Sequence, residues 1–520
     1  MYELLKNEEL PEINSQGYYF KHKKSGARLA VLENEDRNKV FCVSFRTPPN
    51  DDTGVAHIIE HSVLMGSERF PLKDPFNKLA NSSLNTYLNA MTYPDKTMYP
   101  IASCNDKDFK NLMGVYTDAV FAPNVLKDDR AFRQEGWSYE LLSEDDEFKY
   151  NGVVYNEMKG AYSSGDRVTY KEMMSALLPD TNYAFESGGK PEAITDLTYE
   201  EFVGFYNKLY HPSNSYIYLY GDADMEERLL WLDKEYLCKY DAIDVSDTMP
   251  LWQEPFDGLR EKRCTYSIME NEDEKDRTNL GFAVGFDKYF EDTQLNIAFQ
   301  LISYALVEAP GSPLEKALYD AGIGKFVAGD VDGMRQGYFE VVANNTNEDR
   351  KDEFYRIIMD TLKSVVENGL DKKTLRAGLH NMEFKYREQD FGRWPGGLLI
   401  CIGMMQSWLY DDDMVFDYYK LNEVFAKLRE LIDTDYYEKL VEKYFLNNPH
   451  KVLITVAPEQ GLIGKEEKAL KDKLLAYQKG LTDEEKQEIV KKTKELKAYQ
   501  DEEDTPWALA TLPRLLREDI

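Results

Sequence analysis

Twice along the 520-residue chain, runs of β-branched and aromatic residues come first, long amphipathic helical stretches follow, and one apolar strand closes the set. The first set opens with GYYFKHKKSGARLAVLE, a hairpin turning at Lys24-Ser25-Gly26, and continues with KVFCVSFRTP. LNTYLNAMTYPDKTMYPIAS reads as a second hairpin around Pro94-Asp95-Lys96, and NSYIYLYG closes the set. The helices between are KDFKNLMGVYTDAVF and NEMKGAYSSGDRVTYKEMMSAL, the latter irregular around Ser163-Ser164-Gly165. Strands and helices grouped in this way predict an α+β fold rather than a doubly wound parallel sheet. A polar stretch with two prolines, Asp244 to Gly258, breaks the pattern. The order then recurs: CTYSIME and LGFAVGF, helices, VAGDVDG and GYFEVVAN, long helices again, and KVLITVAP as the counterpart of NSYIYLYG. A chain of this length exceeds one ordinary core, so two tandem α+β domains are expected, over residues 1–243 and 259–460. Residues 461–520 add two Lys/Glu-rich helices. The first ends at Gly480, and Thr482-Asp483-Glu484-Glu485 has the form of a capping box opening the second. This predicts a helical hairpin with a solvated face, a spacer rather than a binding element.

Between the first strands and the second hairpin lies H-I-I-E-H, His57 to His61, on a helix expected to start near Asp52 or Thr53. The chain has only six histidines, and two of them stand one helical turn apart. Positions i and i+4 share a helix face, so both imidazoles can aim at one point. Zinc takes nitrogen ligands at about 2.0–2.1 Å, and a catalytic site wants three protein ligands and one open position. Glu60 falls beside that face, where it reaches water rather than the metal and can act as general base. The motif is H-E-x-x-H inverted, with the base next to the second histidine. A buried helix with two hydrogen-bonded histidines is the competing reading, and Ile58, Ile59, Val63 and Leu64 would suit it. A third ligand would come from a carboxylate on another helix. GVVYNEMKGAYSS offers Glu157, which spacing alone does not separate from many other acids. His211, His380 and His450 are isolated and read as structural.

Ninety-four acidic against 63 basic residues leave a net charge of −31. That excess argues against sequence-independent nucleic-acid binding, and it either serves solubility or draws cationic peptides. No apolar run reaches the roughly 18–20 residues of a membrane helix. Five scattered cysteines without a C-x-x-C pair fit neither a disulfide framework nor a thiolate metal site. The N-terminal MYELLKNEELPEINSQG has no apolar h-region. The cytoplasm is the expected compartment, with an organelle matrix as the other setting if a transit peptide precedes these residues.

HIIEHSVLMGSERFPLKDPF, SSLNTYLNAMTYPDKTMYP, FRQEGWSYE, GVVYNEMKGAYS and LYHPSNSYIYLYGD, in this order, resemble the presequence protease branch of the pitrilysin/insulysin zinc metallopeptidases. The resemblance continues through EAPGSPLEKAL and the C-terminal helical hairpin. It implies two tandem insulysin-type domains, one zinc ion held by His57, His61 and Glu157, and Glu60 as general base. It also implies that LNAMTY is an edge strand near the metal, with Asn89 and Ala90 in the substrate-binding stretch. Insulysin-like relatives carry a second acid seven positions before the ligand, where this chain has Tyr150. Glu135 of FRQEGWSYE is the better match for that supporting acid, with an ordinary helix-end acid as the alternative. Asn85 and Asn89 suit either orientation of ligands and substrate or plain turn and strand-edge roles. VEAPGSPLEKAL followed by AGIGKFVAG resembles the segment whose edge strand anchors substrate away from the metal. The implied activity is hydrolysis of unstructured peptides, cleaved targeting peptides among them. A non-catalytic peptide-binding or assembly subunit is the alternative that the same family allows. Members of this branch are about twice as long, two homologous halves enclosing a chamber. The expected partner is therefore a C-terminal half of the same protein or a separate chain, supplying an arginine and a tyrosine that stabilise the reacting carbonyl.

Overall fold

The computed structural model describes residues 1–287, 289–388 and 392–519. The alternating apolar runs near the N-terminus become β1 (Tyr2–Leu10), β2 (Ser15–His22), β3 (Arg28–Glu33) and β4 (Lys39–Arg46). The second hairpin becomes β5 (Asn85–Leu88), β6 (Met91–Thr92) and β7 (Lys96–Ser103). Past a small ribbon of β8 (Ser138–Glu140) and β9 (Lys149–Asn151), β10 (Ser215–Gly221) completes the first sheet. Its order is β1-β2-β3-β10-β4-β7-β5, with β6 also on β7. β10 runs parallel to β3 and antiparallel to β4.

The second sheet comprises β11 (Arg260–Ile268), β12 (Thr278–Phe286), β13 (Phe326–Gly333), β14 (Gly337–Thr346) and β15 (Lys451–Gln460), in the order β11-β15-β12-β14-β13. Here too the last strand enters between the first two, parallel to β11 and antiparallel to β12. From β3 onward the two sheets therefore repeat one topology, and the fold is α+β.

The helices that bear on the site are α1 (Val55–Val63), α2 (Pro75–Ser82), α3 (Asp106–Phe121), α4 (Arg130–Glu135), α5 (Val153–Ala161) and α6 (Gly165–Leu177). The irregularity at Ser163-Ser164-Gly165 is the break between α5 and α6. β4 and β10 are buried at every position, so the first sheet is covered on both faces. Phe41, Val43, Phe45, Ile217 and Leu219 face the helices that include α1 and α3. The intervening Val40, Cys42, Tyr216, Tyr218 and Tyr220 face the helix Gly396–Trp408, which follows the second sheet's β14 in sequence. That helix is apolar almost all round because it is enclosed. Its Trp408 meets Tyr19 and Tyr216 edge-on, with ring centroids 5.8 and 5.0 Å away. α6 makes the reverse crossing, laying Val168, Met173, Met174 and Leu177 against Ala283, Val452, Ile454 and Val456 of the second sheet. Each sheet is thus closed by a helix from the other's stretch of chain.

The terminal hairpin pairs Leu462–Gly480 with Asp483–Asp501, and both capping-box bonds between Thr482 and Glu485 are present. It is less of a free spacer than its composition predicts. Leu474 joins Leu141 and Phe148 in a small core, and Tyr477 stacks on Tyr139 at 5.4 Å. Among the described residues, no helix is long and apolar enough to cross a membrane.

Candidate metal centre

α1 begins at Val55, with Gly54 at its N-cap in the left-handed region. A side chain at Gly54 would meet the Gly188 carbonyl oxygen at 2.6 Å and the Gly189 backbone at similar distance, so only glycine admits this approach. Asp52, one of the two expected helix starts, instead holds the opposite loop, accepting from the Glu186 amide at 2.7 Å. The approach brings the Gly188 carbonyl oxygen to 3.1 Å from His57 Nδ1. With Nδ1 protonated and donating, Nε2 of His57 keeps a free lone pair. His61 is set in the same way, its Nδ1 lying 3.1 Å from Oε2 of Glu135. Both Nε2 atoms then turn toward one carboxylate oxygen, Glu157 Oε2, at 3.8 Å from His57 and 3.9 Å from His61. One ligand atom from each of the three residues lies within 4.8 Å of the others, a spacing that a single metal ion could bridge.

Glu157 reaches this point because α4 and α5 meet at very short range. A Cβ on Gly152, the N-cap of α5, would come within 2.1 Å of the Gly136 carbonyl oxygen. The contact joins the end of α4, which carries Glu135, to the start of α5, which carries Glu157. Glu135 is therefore no ordinary helix-end acid. Its side chain is buried and also accepts from Gln134 Nε2 at 2.8 Å. Tyr150, seven positions before Glu157, packs edge-on against Trp137 and Tyr155 and holds no acid's place.

Burial works against a protonated His61, but the bond to Glu135 and the charges of Glu60, Glu135 and Glu157 outweigh it, leaving its pKa raised. The surroundings thus favour a cation. Glu60 is buried on the same helix, one residue before His61. Toward solvent the centre is open, since Glu157 keeps 54% of its side-chain surface.

Asn89 and Ala90 occupy the gap between β5 and β6. Asn89 accepts at its backbone oxygen from Tyr116 Oη at 3.3 Å and donates its backbone N–H to Pro100 O at 3.4 Å. Ala90 is buried, and β6 packs against α1. Asn85 hydrogen-bonds Ser83 and Ala80 and serves the turn. Among the other histidines, His450 Nε2 donates to the Leu177 carbonyl at 2.8 Å and His211 caps Ser213. The backing of His57 by Gly188 carries no side-chain signature, and the Gly188-Gly189 pair is its only trace in the sequence.

Three family models match the chain: Insulinase (Peptidase family M16) over residues 44–154, Peptidase M16 inactive domain over 196–382, and an M16-peptidase-associated domain over 456–520. The first includes His57, Glu60, His61 and Glu135; the second covers β10 to β14. The chain belongs to the pitrilysin/insulysin family of peptidases. It is 45% identical over its whole length to protein HypA of Clostridium perfringens, covering 53% of that protein. It is 38% identical, again over its whole length, to presequence protease 1 of Arabidopsis thaliana, covering 48% of it. Within the family it falls in the presequence protease branch, and it spans about half the length of these relatives. Solved structures agree on the fold. A Helicobacter pylori protease superposes with a TM-score of 0.64 at 14% identity, covering 85% of this chain and 100% of that one. Pitrilysin gives 0.59 at 15%, covering 88% of this chain and 46% of its own.

Proposed function

We propose that this chain is the zinc-binding half of a metalloendopeptidase that cleaves unstructured peptides, targeting peptides among them. The observation that carries the reading is the convergence of His57 Nε2, His61 Nε2 and Glu157 Oε2 on one point, with Glu60 alongside. Two imidazole nitrogens and one carboxylate oxygen, open to solvent on one side, fit the three-ligand set of a catalytic zinc. When bound, zinc supplies Lewis acidity, lowering the pKa of water and polarising a carbonyl. Gly188 O and Glu135 hold the two imidazoles in the ligating tautomer. Glu60 takes a proton from the attacking water at its carboxylate and delivers it to the leaving amine. Asn89 and Ala90, in the gap of the first sheet's edge, would present backbone groups to an extended peptide. The opposite wall and the donors to the developing oxyanion would come from a C-terminal half of the same protein or a partner chain. The match to the inactive-domain model falls on residues 196–382, clear of all four residues, and so lends the non-catalytic reading no support.

The decisive measurement is zinc stoichiometry with chelator competition. The wild type should hold one zinc per chain, and Glu157→Ala should release it to a mild chelator well before the wild type while staying folded. Equal retention would move the third ligand elsewhere, with Glu135 the first to test.

A further inference from the structure

The loop that backs His57 is itself held by a buried acid outside the motif. Glu186 is almost wholly enclosed, its side chain 2% exposed. Its Oε1 accepts from the Gly188 amide at 3.2 Å and from Arg167 Nη2 at 2.8 Å. Its Oε2 accepts from Tyr162 Oη at 3.0 Å and lies 3.9 Å from Lys171 Nζ. Lys171 also donates to the Phe185 carbonyl at 2.8 Å. From the other side, Asp52 receives the Glu186 amide, and the Asp52 carbonyl receives the Lys190 amide at 2.8 Å. The segment from Phe185 to Lys190 is therefore clamped at both ends, and its one carbonyl facing the centre is that of Gly188, on His57.

From this arrangement we infer that Glu186 is a positioning residue for the metal centre: it fixes the Gly188 carbonyl, which orients His57 and keeps Nε2 free to ligate. The inference rests on the zinc reading above. A carboxylate serves where most side chains would not, because it accepts from the Gly188 N–H while neutralising Arg167 and the buried Lys171. All three side chains that hold Glu186 lie at or beyond the end of α5, and two of them, Arg167 and Lys171, are on α6. α6 is also the helix that closes the second sheet, and its Asp166 accepts from Asn344 of β14 at 3.0 Å. The setting of His57 is thereby tied to how the second sheet seats on α6.

The test uses the metal-free chain and zinc alone as probe, with affinity read by chelator competition. Supporting groups of this kind typically govern about 10–100-fold in metal affinity. Glu186→Ala should lose zinc affinity on that scale. Glu186→Gln, whose amide oxygen still accepts from Gly188, should recover most of it. A wild type that binds no zinc would sink the metal reading together with this one. A wild type that binds zinc, with Glu186→Ala folded and equally tight, would overturn this inference alone, as would Glu186→Gln as weak as Glu186→Ala. Should Glu186→Ala not fold, Arg167→Gln decides, since Arg167 is 39% exposed and its loss empties no core. It should weaken zinc to a smaller degree. In the metal-free protein, imidazole nitrogen NMR should show His57 moving from a single Nδ1–H tautomer to a mixture. Unchanged affinity together with an unchanged tautomer would overturn the inference.

Discussion

The two sheets share a topology but treat their carboxylates in opposite ways. In the first unit, the helix after β4 is α1, and its histidines gather Glu135 and Glu157 around them. In the second, the helix after β12 is Thr293–Ser303, which carries no histidine and is largely buried. The acids of the second unit crowd one another instead. Glu340 on β14 sits directly across from Asp330 on β13, and its Oε2 has no hydrogen-bond partner among the described residues. Burial, then the charges of Asp332 and Asp330, push Glu340 up to about 7. The edges differ as well. β13 pairs with β14 without a break from Phe326 to Gly333, whereas the matching edge of the first sheet shifts register after Asn85 and lapses at Asn89 and Ala90. One fold therefore yields a polar centre beside a broken edge, or an apolar helix beside a continuous one. What separates them is a handful of side chains on the helix after the second shared strand.

The comparison is broken most sharply at Glu60. Glu60→Gln should leave zinc stoichiometry intact and cut peptide hydrolysis by about 10²–10⁴-fold, assayed with any second half present. Loss of zinc equal to that of His57→Ala would assign Glu60 to the ligands and erase its separate role. Next comes Glu135, the acid that domain-level similarity alone would not mark. Glu135→Gln should weaken zinc by about 10–100-fold without unfolding the chain, as chelator competition and circular dichroism would report. No change would reduce Glu135 to a packing residue.

The smallest effect belongs to the second unit. Folding favours protonated Glu340, so the folded chain binds more protons between the ordinary 4.5 and about 7. Stability therefore falls as pH rises across that window, and the loss is complete above it. Glu340→Gln should stabilise the protein at pH 8 by at most about 3 kcal/mol, less for whatever solvent contact the side chain keeps, and should change little below pH 4.5. Thermal unfolding at both pH values measures it, and equal shifts at the two would show that charge is not the cause.

How legible all this is in the chain follows from what each signal encodes. The pair at His57 and His61 is readable because helical periodicity alone puts both imidazoles on one face. The repeated strand order is readable from alternation and grouping. Glu157 is not, since a lone acid on a helix resembles its many neighbours, and it takes the family resemblance to select it. For the supporting acid, Glu135 competes with the Tyr150 position, and only the packing of α4 on α5 through Gly136 and Gly152 excludes the latter. Glu186 cannot be read at all, because it works through a backbone carbonyl. The helix Gly396–Trp408 announces burial by its composition, yet nothing in the residues says that its partner is a sheet some two hundred positions earlier.

That crossing has a further consequence. With α6 on one sheet and Gly396–Trp408 on the other, neither unit could be excised with a finished surface, since each would bare the strands that the other covers. The smallest piece that can be expressed, transplanted or inherited intact is the interlocked pair. A mutation that loosens either crossing should therefore expose both units to proteolysis at once.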